Sequence, residues 1–322
     1  MDYRLEILPI HEADKEKKKR QTVENPKGAI ALVHGICHGA WCWENFINFF
    51  ADHGYQCYAI SLPGHGGSGG KEHLQEYRLS DYVEAVKEAM KTIKEDMKSH
   101  GLRDVNPFLL GHSMGGAVVQ QYIGKYEDDV QGAILFAPAT APKMKKRDMF
   151  PNNKHLWFAT CIAWNIRNHL LTRGNTREQI VHDAAFFSSK DKNNNITQRV
   201  KDTSRFVPLL QTESKKITGG VLSLMIPGDL AKPYSDNYHV HIPVLVIGSR
   251  ADLYFGKDSL EKTAGEYARA GSKTALVILD RLCHDMMVDD EEWEKSAKPV
   301  LEFVEDSHGF IKDNEYHCLR KN

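Results

Sequence analysis

The chain has 322 residues, long for a single core yet short for two independent domains, so one α/β core with a large insertion is the simplest arrangement. Its 42 Lys and Arg against 43 Asp and Glu give a formal net charge of -1, which leaves no positive field to attract nucleic acid or an anionic membrane. Charges in Met1-Asp2-Tyr3-Arg4-Leu5-Glu6 interrupt the apolar stretch a secretory signal needs, no apolar run is long enough to span a bilayer, and no Cys-x-x-Cys pair marks a zinc or redox site.

The composition thus predicts a soluble, cytoplasmic protein without a cleaved leader. Cys37, Cys42, Cys57, Cys161, Cys283 and Cys318 read as small apolar fillers. Self-association into a homo-oligomer is compatible with such a chain.

Residues 3–10 alternate apolar and polar like a strand, and the basic run 15–20 reads as a solvated turn. Short apolar bursts follow at 29–33, 56–60, 107–110, 133–136, 244–247 and 274–279, separated by helical stretches. That rhythm predicts a mostly parallel sheet with helices on both faces. One such helix spans 80–100, with Val83, Val86, Met90, Ile93 and Met97 on one face, Ser80 as N-cap and Gly101 just past its end.

The rhythm breaks at 138–242, roughly a hundred residues where a short crossover would suffice. This predicts a core of 1–137 and 243–322 with a mainly helical cap at 138–242. Within the cap, 153–171 is apolar on more than one face and 190–195 is polar and loop-like.

Gly111-His112-Ser113-Met114-Gly115 follows one apolar burst and precedes a helix-compatible stretch, 115–126. Glycines at both ends of such a motif let the chain turn sharply, leaving the serine hydroxyl exposed at the carboxyl end of a strand. A serine hydroxyl needs a histidine to accept its proton, and the histidine needs a carboxylate to hold its tautomer. Asp252 follows the burst at 244–247, and His284 follows the one at 274–279, in the chain order Ser, Asp, His. Asp280 and Asp285 are nearer the histidine in sequence, but the wrong loop would have to reach its ring.

The developing oxyanion needs fixed N–H donors. These are assigned to the backbone of Met114, directly after the nucleophile, and of Ile36, in the loop His34-Gly35-Ile36-Cys37-His38-Gly39. His34 and His38 lie four apart, but the glycines around them argue against a helix and no third ligand is spaced to join them. No metal or cofactor is expected.

Together with Leu32-Val33-His34-Gly35 and Leu62-Pro63-Gly64-His65-Gly66, these motifs resemble the α/β-hydrolase superfamily from about residue 29 to 304, with the cap matching least. The resemblance implies acyl-enzyme hydrolysis beneath a cap. The stretch from His34 to Trp41 resembles the plant methylesterase and hydroxynitrile lyase branch. Lyases of that branch carry threonine at the position of Gly35 and lysine at that of Asp285, so the departure favours ester hydrolysis. His284-Asp285-Met286-Met287 looks more like microbial hydrolases. His284 and Asp289 also fit the H-x-x-x-x-D spacing of some glycerolipid acyltransferases, although an acidic helix start explains Asp289 to Glu292.

The expected activity is cleavage of a small or medium carboxylic ester by Ser113, His284 and Asp252. The alternatives are a C–C bond hydrolase or thioesterase with the same residues, or a ligand receptor retaining a hydrolase pocket. Trp157, Phe158, Trp164, Phe186, Phe187, Phe206 and Met225 suggest an apolar group on the substrate, although such residues more often pack a cap against its core.

Overall fold

A computed structural model describes residues 4–103, 105–139, 187–193, 195–218 and 239–314. The stretch 153–171, together with Trp157, Phe158, Trp164, Phe186, Met225, Cys161 and Cys318, lies outside the described residues.

The described strands are β1 (Glu6–Leu8), β2 (Gly28–Val33), β3 (Tyr55–Ser61), β4 (Phe108–His112), β5 (Ala133–Phe136), β6 (Ser188–Lys190), β7 (Ile196–Gln198), β8 (Val244–Ser249) and β9 (Thr274–Leu279). Seven form one sheet in the order β1-β3-β2-β4-β5-β8-β9. β1 runs antiparallel to β3, and every other neighbouring pair is parallel.

The inner strands are buried throughout and mostly apolar because both faces of the sheet are covered. Alternation sorts their side chains: Ala29, Ala31 and Val33 of β2 enter one core cluster, Ile30 and Leu32 the other. In β8, Val244 and Val246 join the first, Leu245 and Ile247 the second. Each Val, Leu or Ile among them, fully buried, contributes about 1.5–3 kcal/mol.

On the first face lie α3 (Leu79–Ser99), α4 (Met114–Tyr126) and α6 (Lys257–Arg269); on the second lie α2 (Glu44–Asp52), α7 (Trp293–Glu305) and α8 (Ser307–Asn314). The predicted stripe of α3, from Val83 to Met97, is wholly buried. Its start differs: Arg78 is the N-cap, Asp81 accepts its N–H at 2.7 Å, and Ser80 lies inside the first turn.

The basic run is also a correction, since Lys15–Gln21 forms helix α1. Asp14 caps it by accepting from the N–H groups of Glu16 and Lys17, and the cations Lys18, Lys19 and Arg20 fall in the last turn, where the helix dipole favours them. Periodicity could not reveal a helix of seven residues that buries one side chain, Gln21.

The described part of 138–242 contains the antiparallel hairpin β6–β7, two short 3₁₀ turns and the four-residue helix α5 (Lys215–Thr218). Phe187 is fully buried in the second core cluster, and Phe206 packs on Phe187 and Trp41. Among the described residues, no helix is long and apolar enough to cross a membrane.

Candidate active site

Ser113 sits between β4 and α4 with φ 52° and ψ -115°, a strained conformation for a residue with a side chain. Surrounding bonds hold it there: its N–H donates to Phe136 O at 3.1 Å and its carbonyl accepts from Ala139 N at 2.9 Å.

The glycines on either side serve a purpose different from the one their motif suggests. Neither Gly111 nor Gly115 has a positive φ. A Cβ on Gly111 would meet Gly115 O at 2.3 Å, and one on Gly115 would meet the carbonyl oxygens of Val33 and His34 at 2.4 Å. These positions therefore need glycine for close packing of α4 against β2 and β4, while the serine itself carries the backbone strain.

Asp252 and His284 come from the loops after β8 and β9. His284 Nδ1 lies 2.8 Å from Asp252 Oδ2, and both residues are buried. The other carboxylate oxygen, Oδ1, accepts from Tyr254 N at 2.6 Å and Phe255 N at 3.2 Å, which fixes the plane presented to the imidazole. The rings of Tyr254 and Phe255 flank His284, with centroids 4.8 and 5.5 Å away. Asp280 instead pairs with Arg250 at the surface.

The turn after β2 packs directly on the serine. A Cβ on Gly35 would meet His112 Nδ1 at 2.8 Å and Ser113 Cβ at 3.1 Å. The turn is tight enough to place the non-glycine Cys37 at φ 69°. It thus brings Gly35, the residue before Ile36, against Ser113, while Met114 opens α4, where the first N–H groups have no partner within the helix.

The two histidines of this turn have separate partners. His34 Nε2 accepts from Leu62 N at 2.9 Å, so Nδ1, 2.7 Å from Gly35 O, carries the proton. Burial, with His65 nearby, holds this ring well below the usual histidine range, and therefore neutral. His38 Nδ1 lies 2.6 Å from Ile36 O and Nε2 lies 2.7 Å from Asp285 Oδ2. Burial opposes charge on His38, yet the Asp285 carboxylate raises its pKa, and His38 in turn lowers that of Asp285 against the same opposition.

His112, Asp285 and the segment 187–213 carry site geometry that motif spacing did not reveal. His112 Nε2 donates to His284 O at 3.1 Å, and burial with His284 nearby holds its ring well below the usual range. Ser189 Oγ donates to Arg281 O at 2.8 Å and Lys190 N to Ala251 O at 3.0 Å, so β6 spans the loops that carry His284 and Asp252. Gln211 joins the turn after β2 to the 62–66 loop, its N–H donating to Cys37 O at 2.8 Å and its Oε1 accepting from Gly66 N at 2.5 Å.

Arg199 makes paired contacts with Asp289, at 2.9 Å and 3.1 Å, and Asp289 Oδ1 accepts from the N–H groups of Glu291 and Glu292. That use of both oxygens holds Asp289 in the turn before α7, whose N-cap is Glu292. His112, His284 and Asp285 offer ligand atoms within 4.8 Å of one another, but Asp285 is committed to His38 and His284 Nδ1 to Asp252.

A mostly parallel sheet with a strained serine after β4, and an Asp–His pair after β8 and β9, defines an α/β hydrolase. The chain belongs to the family described as Serine aminopeptidase, S33, whose profile matches residues 24–217. It is an esterase- or lipase-type hydrolase family by its relatives. A monoacylglycerol lipase of Mycolicibacterium smegmatis is 32% identical over 116 residues, 36% of this chain and 39% of that protein. A non-heme chloroperoxidase, CPO-A1, of Kitasatospora aureofaciens is 25% identical over 279 residues, 85% of this chain and 91% of that protein. Two methylesterases of Arabidopsis thaliana are 26% and 28% identical over 166 and 141 residues, 52% and 44% of this chain and 58% and 51% of those proteins. Among solved structures, an esterase from Exiguobacterium antarcticum shares the fold with a TM-score of 0.65 at 16% identity, covering 94% of this chain and 96% of that one.

Proposed function

We propose that this chain cleaves small or medium carboxylic esters through an acyl-enzyme formed on Ser113. The observation that carries the reading is the His284–Asp252 contact at 2.8 Å, with Ser113 on a strained turn at the same edge of the sheet, at the end of β4.

His284 accepts the Ser113 proton as the hydroxyl attacks the ester carbonyl, and Asp252 stabilises the imidazolium that forms. The tetrahedral oxyanion receives hydrogen bonds from the N–H groups of Ile36 and Met114. His284 then gives the proton to the departing alcohol, and a water, deprotonated by the same ring, releases the acid. No cofactor enters these steps. The names of the lipase and methylesterase relatives support an ester as substrate. An apolar acyl or alcohol group on that ester is part of the same reading.

The fit of Gly35 favours hydrolysis over the lyase chemistry of the methylesterase branch, because a threonine there would place its Cβ 2.8 Å from His112 Nδ1. The test is hydrolysis of p-nitrophenyl acetate and butyrate, with fluorophosphonate labelling, by wild type and Ser113→Ala. A wild-type rate no higher than that of a folded Ser113→Ala, or labelling that persists in the variant, overturns the reading.

A further inference from the structure

The turn after β2 and the loop after β9 meet at two buried groups that the proposed chemistry does not use. His38 Nδ1 lies 2.6 Å from Ile36 O, and its Nε2 lies 2.7 Å from Asp285 Oδ2. A carbonyl and a carboxylate both accept, so each ring nitrogen must donate, and His38 is an imidazolium facing a carboxylate. Side-chain exposure is 1% for His38 and 0% for Asp285, so the pair is desolvated on both sides.

We propose that this His38–Asp285 ion pair is a positioning device for the hydrolysis, a clasp that fixes the oxyanion-donating turn relative to the loop that carries His284. The proposal rests on the roles given above to Ser113 and His284. Three observations support it.

The first is connectivity. Asp285 follows His284 directly, and His38 lies two residues after Ile36, so each partner sits beside a group with an assigned part in the reaction.

The second is what the bond to Ile36 O controls. Holding that carbonyl sets the plane of the 36–37 peptide and so restricts the backbone angles of Ile36, which aim its N–H. The next residue, Cys37, is at φ 69°, a conformation that persists when its surroundings over-determine it.

The third is convergence. Asp285 Oδ1 lies 3.6 Å from His112 Nε2, the atom that donates to His284 O. The turn, the end of β4 and the base-bearing loop therefore meet at one carboxylate. Trp41 stacks on His38 with centroids 5.1 Å apart and completes the enclosure.

Of the other titratable groups around the pair, His34 and His112 are neutral imidazoles. The thiols of Cys42 and Cys283 are pushed up by burial, with Asp285 adding to the shift, so they stay protonated. His284, from the same loop, is among the groups that lower the pKa of Asp285. Two apolar side chains would stabilise such a site at least as well as an ion pair, which leaves orientation as the property the charges supply.

The test compares wild type with Asp285→Asn, His38→Gln and the double variant, with Ser113→Ala as control. It measures kcat and KM for p-nitrophenyl acetate, and the ¹⁵N NMR signals of the His38 ring in wild type at pH 7.5. The clasp predicts a doubly protonated His38 ring, since this pH lies above the ordinary histidine value of about 6.5. It predicts a loss in kcat of about 10- to 100-fold in each single variant, with KM within about threefold. The double variant should be no worse than the poorer single, because both substitutions break one interaction.

A neutral His38 ring overturns the clasp even if every variant fails to fold. So do folded, active single variants with unchanged kcat, or losses that multiply in the double variant. A wild-type rate equal to that of Ser113→Ala overturns the hydrolase reading and the clasp's part in it, while the NMR signals still report whether the pair is charged.

Discussion

His284 reaches Asp252 across 32 positions of sequence to place Nδ1 2.8 Å from Oδ2, while the second oxygen of Asp252 is occupied by two backbone N–H groups. The carboxylate therefore has no rotational freedom: one oxygen orients it and the other accepts the imidazole proton. Replacing Asp252 with asparagine keeps the shape and removes the charge that selects the tautomer. Asp252→Asn is expected to lower kcat by about 10³- to 10⁴-fold with little change in melting temperature. A folded variant within tenfold of wild type would show that another carboxylate serves His284.

Gly35 is a steric requirement of the site, since its absent Cβ would fall 2.8 Å from His112 Nδ1 and 3.1 Å from Ser113 Cβ. Gly35→Thr should cost about 1–3 kcal/mol in stability, as overpacking does, and should displace the turn enough to lower ester hydrolysis. Denaturant unfolding and initial rates check both effects. Wild-type values in both would mean the turn can move freely away from the serine.

At Gly115 the clash is with backbone, at 2.4 Å from two carbonyl oxygens, and backbone cannot rotate aside. At Gly101 the space is open, and the penalty for alanine is that of φ 88° alone. Gly115→Ala should therefore destabilise by more than about 3 kcal/mol, and Gly101→Ala by about 1 kcal/mol. Equal losses would contradict this packing of α4.

Arg199 is 10% exposed and Asp289 fully buried, so removal of the arginine strands a carboxylate inside the protein. Arg199→Met is expected to cost about 3 kcal/mol and to speed proteolysis near the hairpin, because the paired bond from Arg199 to the turn before α7 is lost. Unchanged stability and cleavage rates would assign that anchoring to other contacts.

The pH dependence of stability follows from the buried histidines. His34 and His112 have lowered pKa values in the folded state, so the unfolded chain takes up protons first as pH falls below about 6.5, and stability drops there. Asp285 and Glu213 are also lowered, the latter by His65 and Tyr82 against burial, and their contribution is lost as pH falls through the carboxylate range near 4. His38 is raised, so its contribution is complete below about 6.5 and is lost as pH rises through the folded value. The melting temperature should peak above pH 6.5 and fall on the acid side in two stages. His112→Asn should flatten the first stage, and a flat profile between pH 4 and 7 would refute the assignment of neutral buried rings.

The strands and their order of use were legible because a buried parallel sheet writes itself as short apolar bursts; the bursts at 133–136 and 274–279 coincide with β5 and β9. The positions of Ser113, Asp252 and His284 at the ends of β4, β8 and β9 were legible from chain order, a rule of topology. His38 and Asp285 were not, because an ion pair between residues 247 apart leaves no local pattern. Helix α1 was hidden for the opposite reason: its caps and dipole act locally, while a basic run reads the same in a turn. The glycines of the Gly-x-Ser-x-Gly motif were found but misread, since a sequence cannot distinguish a missing side chain from a special backbone angle.

The angles at Ser113 also limit which nucleophiles this turn can accept. At φ 52° a branched carbon next to the main chain crowds its own backbone, so threonine is strongly disfavoured even though it too carries a hydroxyl. Cysteine, unbranched, would enter without moving the chain. The turn thus selects among nucleophiles by the shape of the Cβ, before the chemistry of the hydroxyl has any say.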